Sequence, residues 1–127
     1  MRNYRDLQVW EKAHALTLDL YRTSRSFPKE EIYGITSQIR RAAMSIGANL
    51  AEGCGRRSAH ELARFVRIAL GSASELDYHL LVCRDLGFLK TEDFGCFSKD
   101  LTEIRKMLTS FLSSIEKQIE AQNKPEH

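Results

Sequence analysis

Breakers are scarce in this chain: two prolines and seven glycines in 127 residues leave room only for few, long elements. Long hydrophobic runs are absent too, since nothing approaches the ~20 consecutive apolar residues that a bilayer-spanning helix needs. The N-terminus, Met1-Arg2-Asn3-Tyr4-Arg5-Asp6, lacks the apolar stretch of a secretion signal, so a cytoplasmic chain with no membrane partner is expected. The three cysteines, Cys54, Cys83 and Cys96, are an odd number at spacings that suit neither a zinc site nor a disulfide framework. The histidines at 14, 60, 79 and 127 never stand in a two-histidine ligand spacing with a carboxylate, and the repeated Glu-x-x-His of di-iron bundles is missing. Glu75 and His79 offer one carboxylate–imidazole pair at i, i+4, which by itself reads as a surface pair. Gly53-Cys54-Gly55 has neither the preceding strand nor the following Lys-Ser/Thr of a phosphate loop. No nucleophile motif is present. The expectation is a protein that is not an enzyme, with no cofactor and no metal.

Charge is balanced overall but not along the chain. The formal net charge is +2, with ten Lys/Arg against six Asp/Glu in residues 1–60 and nine against eleven in residues 61–127. This mild polarisation permits a nucleic-acid partner without requiring one. Hydrophobic residues make up 43% of the sequence, enough for one self-sufficient domain at this length. We assign residues 1–121 to that domain and 122–127 to a frayed polar tail.

Four helical segments can be read from the apolar spacing. The first runs from about Leu7 to Ser24, capped by Asp6, with Val9, Ala13, Leu16 and Leu20 on one face. Phe27-Pro28 closes it, because a residue before proline is pushed out of helical geometry. The second starts near Pro28 or Lys29, with Glu30 and Glu31 at its positive end, buries Ile35, Ile39, Ala42, Ile46 and Leu50, and stops at Gly53 and Gly55. The third opens with the capping box Ser58-Ala59-His60-Glu61 and keeps Leu62, Val66, Ala69, Ala73, Leu76, Leu80 and Cys83 on one face up to Gly87. The fourth, capped by Thr91, alternates Phe97, Leu101, Ile104, Leu108, Phe111 and Ile115 by four and three. That spacing favours left-handed, near-parallel packing. No segment of period two is found, and short connections force consecutive helices antiparallel. The expected fold is all-α, an up-down-up-down antiparallel four-helix bundle.

A second stripe on helix two, Gly34, Gln38, Arg41, Ser45 and Glu52 with Asn49 at its margin, borders the core. These polar groups need partners, which Ser72 and Glu75 on helix three could supply within the chain or across a subunit boundary; a ligand pocket is the alternative. Small residues recur on helix two (Ala42, Ala43, Ser45, Gly47, Ala48) and helix three (Gly71 to Ser74), and interior glycines imply close approach of a neighbouring helix. Arg40, Arg41, Arg56, Arg57, Arg64 and Arg67 flank the turn between these helices and are candidate phosphate contacts, the guanidinium fork donating two parallel hydrogen bonds. The competing reading pairs Arg41 with Glu52 or Glu75 and leaves the others solvated. No recognition-helix motif or aromatic stacking platform points to a specific nucleotide sequence.

Several ordered blocks carry a family resemblance. They are Asp6-Leu7-Gln8-Val9-Trp10, Phe27-Pro28 with Glu31-Ile32-Tyr33-Gly34, Gln38-Ile39-Arg40-Arg41-Ala42, and Ser45-Ile46 with Asn49-Leu50-Ala51-Glu52-Gly53. Arg57-Ser58, Glu61, Phe65, Ile68-Ala69-Leu70-Gly71-Ser72, Glu75 and Leu86-Gly87-Phe88-Leu89 complete them. The chain resembles the four-helix-bundle proteins encoded by intervening sequences in bacterial 23S rRNA genes. The resemblance implies a non-enzymatic homo-oligomer, a pentamer in many members, of unassigned cellular role. A related branch, the accessory variability determinant of diversity-generating retroelements, binds a reverse transcriptase and nucleic acid. It implies RNA, DNA or a nucleic-acid-handling protein as a partner. Gly47 stands where many members carry proline, so a bend or close contact is expected there. Trp10, Tyr33, Gln38, Ser45, Asn49, Glu52, Gly71, Ser72 and Glu75 are the candidate interface or interhelix polar residues. A protein-interaction scaffold without nucleic acid is the alternative function.

Overall fold

A computed structural model describes residues 2–123. Among them are four α-helices, α1 (Gln8–Thr23), α2 (Ile35–Cys54), α3 (Ala59–Asp85) and α4 (Thr91–Gln122), with short 3₁₀ turns before and after α1 and no strand. Consecutive helices pack side by side, α2 with α3 most extensively, and α4 closes the ring against α1. The result is the all-α four-helix bundle expected from the sequence. Its core is the sum of the four predicted stripes: Val9, Ala13, Leu16 and Leu20; Ile39, Ala42, Ile46 and Leu50; Leu62 through Cys83; and Phe97 through Ile115. Ile35, the first residue of its stripe, and Phe111, the last but one of its own, are half-buried.

The helix starts differ from expectation in three places. Asp6 does not cap α1; it belongs to a 3₁₀ turn, Tyr4–Asp6, capped by Asn3, and extended Leu7 precedes the helix with no side-chain cap. Nor does α2 begin at Pro28 or Lys29. Lys29–Glu31 form a separate 3₁₀ turn, Gly34 leaves helical geometry at φ −108° and ψ −122°, and the helix begins at Ile35. The Glu31 carboxylate accepts the Ile35 amide hydrogen at 3.3 Å, so the acid does meet the positive helix end, from outside the helix rather than from its first turn. Thr91 is the first helical residue of α4 rather than its cap, which is Lys90; Glu92 and Asp93 supply the favourable charge there.

Two boundaries follow the sequence closely. Ser58 caps α3 by accepting the Glu61 amide hydrogen at 3.1 Å. Gly87, at φ +79°, ends it: its amide donates to the Arg84 carbonyl and that of Phe88 to the Cys83 carbonyl, the pair of hydrogen bonds that closes a helix through a left-handed residue. Glycine takes that backbone at no steric cost. At the other end of the chain α4 runs through Gln122 with Asn123 as its cap. Most of the tail expected to fray, residues 124–127, lies outside the described residues.

Candidate functional site

The turn between α2 and α3 is built by a close crossing. Gly53, predicted as a stop, is helical and buried, and a Cβ on it would lie 2.9 Å from Phe65 Cβ and 3.1 Å from Leu62 Cδ1. Its bare backbone therefore lets the first turns of α3 lie against the last turn of α2. Gly55 follows as the cap, and the Arg2 amide donates to the Cys54 carbonyl at 3.0 Å, tying the N-terminus to the same end.

Phe65 is nearly buried beneath two guanidiniums, Arg56 at 5.2 Å and Arg64 at 4.5 Å from the ring centre. Both arginines also have carboxylate partners: Arg56 with Glu52 at 3.7 Å and Arg64 with Glu61 at 2.8 Å. The Arg64 guanidinium holds the Glu61 carboxyl below its ordinary range. Arg67 pairs with Glu116 of α4 at 3.4 Å. Arg57 is exposed and has no carboxylate partner among the described residues. The six predicted arginines therefore do not form one surface. Arg56, Arg57, Arg64 and Arg67 share the turn end, whereas Arg40 sits toward the far end of α2, half-buried, donating to Ser24 Oγ at 2.8 Å and the Tyr21 carbonyl at 3.3 Å. Arg41 is exposed and donates to Gln38 at 3.0 Å, not to Glu52 or Glu75.

The polar stripe on α2 resolves into a small network. Ser45 and Ser72 hydroxyls are 2.8 Å apart across the α2–α3 seam, and Asn49 Nδ2 donates to both the carbonyl and the hydroxyl of Ser45. Gln38, Glu52 and Glu75 stay outside it; Glu75 lies 3.9 Å from His79 Nε2. Trp10 is half-buried in an internal stack, edge-on to Tyr4 and parallel to His14, and its indole nitrogen lies 3.3 Å from where a Cβ on Gly47 would be. The close contact expected at Gly47 is thus with Trp10. Tyr33 is 95% exposed. Gly71 is exposed, and a Cβ there would meet nothing within 4 Å, so no helix of its own chain explains it.

Around Gly71 the sequence reading missed a pattern. Ile68, Gly71, Glu75 and Tyr78 follow each other at three- and four-residue spacing, outside the core stripe, and all are exposed. Arg41, Met44, Ala48 and Glu52 do the same on α2, and the Ser45–Ser72 bond lies between the two stripes. The spacing was visible; that Met44, Ile68 and Tyr78 stay uncovered after the core is filled was not.

Comparison with known proteins gives this architecture a lineage. The family model described as 23S rRNA-intervening sequence protein matches residues 5–110. The chain belongs to that family. The match takes in α1 to α3, the α2–α3 turn and more than half of α4. A solved structure from Bacteroides thetaiotaomicron, described as a protein with unknown function from the S23 ribosomal protein family, superposes with a TM-score of 0.77 at 26% identity, covering 83% of this chain and 95% of that one. No protein with a curated description is detectably similar. This member of the 23S rRNA-intervening sequence protein family shares its bundle with that structure. Among the described residues of this member no three His, Cys, Asp or Glu side chains gather as a metal site would require, and no helix is long and apolar enough to cross a membrane.

Proposed function

We propose that this intervening-sequence protein is a non-catalytic bundle that assembles with copies of itself, as a pentamer, through the outward face of α2 and α3, and presents its arginine-bearing turn to nucleic acid. The observation that carries the assembly is Gly71. A glycine inside a helix is less favourable than alanine by roughly 0.8–1.0 kcal/mol, and nothing in its own chain approaches it. Ile68 and Tyr78 on α3 and Met44 on α2 supply exposed apolar surface around it. The face also carries Arg41 and Glu75, opposite charges that a neighbouring copy can pair. Nucleic-acid contact is supported by Arg57, free of any carboxylate partner among the described residues, beside Arg56 and Arg64 stacked on Phe65. Multi-angle light scattering at micromolar concentration tests the assembly; a single-protomer mass refutes it. RNA and DNA binding measured across a salt series tests the second part. Arg57→Glu is expected to weaken all sequences alike and to flatten the salt slope by about one charge. Retention that ignores salt, or none at all, removes the nucleic-acid reading. A protein scaffold without nucleic acid is then favoured by the ion-paired state of Arg56, Arg64 and Arg67, and co-purification of a defined partner at high salt supports it.

A further inference from the structure

The opposite end of the bundle carries a different feature. The connection from α1 to α2 folds back over the start of α2 and borders a hollow of about 590 Å³ that is open to solvent, within the range of small-molecule sites. Tyr21, Phe27 and Ile32 give it apolar walls, and Arg25, Lys29 and Arg40 give it charge; no acidic residue lines it. Glu31, next in the chain, is turned toward the Ile35 amide instead.

Arg40 is the decisive group. It is half-buried, yet among the described residues no carboxylate lies within ion-pair distance of it. A charge withdrawn from water is costly unless it is paired. The Tyr21 ring, 4.8 Å from the guanidinium carbon, and two neutral acceptors hold it in place. Those acceptors use Nε–H and one Nη2–H; Nη1 has no acceptor among the described residues. One edge of the fork is thus fixed and the other is free, the preorganised arrangement that binds an oxyanion with two parallel bonds. Arg25 and Lys29 likewise have no carboxylate partner there. Thr36, which also lines the hollow, is 3% exposed, and its hydroxyl has no hydrogen-bond partner. A buried hydroxyl without a partner is unusual in a folded protein, and it sets Thr36 apart among the residues lining the hollow.

We infer that this hollow binds a small phosphate monoester carried on a flat apolar body. Three cations match a dianion better than a monoanionic carboxylate, and the Tyr21–Phe27–Ile32 walls take the apolar part. The site lies away from the α2–α3 turn, so it stands or falls independently of the nucleic-acid reading.

Isothermal titration of the full chain with 1-naphthyl phosphate, 1-naphthol and inorganic phosphate tests it. One naphthyl phosphate per protomer is expected, at least about tenfold tighter than either the neutral naphthol or phosphate alone. Lys29 is exposed and makes no ion pair, so Lys29→Glu leaves the fold intact; it should weaken naphthyl phosphate about tenfold or more and naphthol little. Arg40→Gln should do the same, while Arg57→Glu at the far end should change nothing. Absence of saturable binding overturns the site, as does binding that Lys29→Glu leaves unchanged or that Arg57→Glu weakens equally.

Discussion

Burial separates the three cysteines, two of them buried and one exposed. Cys83 is fully buried and its thiol is pushed up to about 11 by desolvation, with the Glu31 charge adding to the effect. Desolvation also raises Cys54, although the nearby Arg2 charge works against it. Cys96 is exposed. Only a thiolate attacks a disulfide reagent, so native protein at pH 8 should release one fast equivalent per protomer, from Cys96, and all three after denaturation. Two or three fast equivalents would contradict the packing of the α2–α3 and α3–α4 seams. Thr36 gives a second residue-level prediction. Its hydroxyl is buried without a partner, so Thr36→Val exchanges an unsatisfied polar atom for a methyl group of similar shape. The substitution should raise stability by about 1 kcal/mol in urea unfolding; a loss of that size would mean the hydroxyl has a partner in the folded protein. The buried role of Cys83 could be read from its place on an apolar stripe. The orphaned hydroxyl of Thr36 could not, because it depends on how the α1–α2 connection folds back.

At the scale of elements, the contrast among glycines is informative. Gly53 in the last turn of α2 sits under Phe65 and Leu62, where an added Cβ would press to 2.9 Å against another Cβ that has no freedom to swing away. Gly53→Ala should therefore destabilise by roughly 1–3 kcal/mol despite its better helix propensity, measured as a lower urea midpoint with unchanged slope. An increase would show that α2 and α3 are not in close contact at Gly53. The sequence marked Gly53 only as a stop signal, because glycine near a helix end carries that meaning without knowledge of the crossing helix. It located α3 and its terminator closely, since capping by Ser58 and closure at Gly87 are local chemistry. It misplaced the start of α2, since the turn from Lys29 to Gly34 answers to the packing of Phe27 into the core. The closure of α4 on α1 rests partly on an ion pair, Lys12 to Glu103 at 2.6 Å. Its hydrogen bond holds the Glu103 carboxyl below its usual 4.5 and raises Lys12 above 10.5. A carboxyl lowered on folding stabilises above its unfolded value, and that stabilisation fades as pH falls through the folded value; the raised lysine loses its share only as pH climbs past 10.5. The difference in melting temperature between wild type and Lys12→Met should thus be present at pH 6, shrink below pH 4.5, and shrink with added salt. A difference that persists at pH 2 would assign it to packing of the lysine stem.

For the whole molecule, the question is what the outward face of α2 and α3 is for. A bundle of this length has filled its core, and Met44, Ile68 and Tyr78 remain outside it. Scattered apolar residues are ordinary on a surface; a helical glycine in their midst that meets nothing is the feature that asks for a neighbour. A monomer gains from losing it, whereas an assembly that packs a helix there does not. Gly71→Ala separates the two. In dilute protomer the added methyl group should raise stability by about 0.8–1.0 kcal/mol, the helix-propensity difference. In the assembly the same methyl group occupies the line of closest approach, so the concentration at half-association, followed by light scattering, should rise several-fold. Gly95 on α4 is the control: it too is helical, exposed, and surrounded by nothing within 4 Å, but it lies away from the proposed face. Gly95→Ala should stabilise the chain equally and leave association unchanged. If Gly71→Ala behaves like Gly95→Ala in both measurements, the face is solvent-exposed in the working molecule and copies of the chain must meet elsewhere, with 95%-exposed Tyr33 at the opposite end the next anchor to substitute.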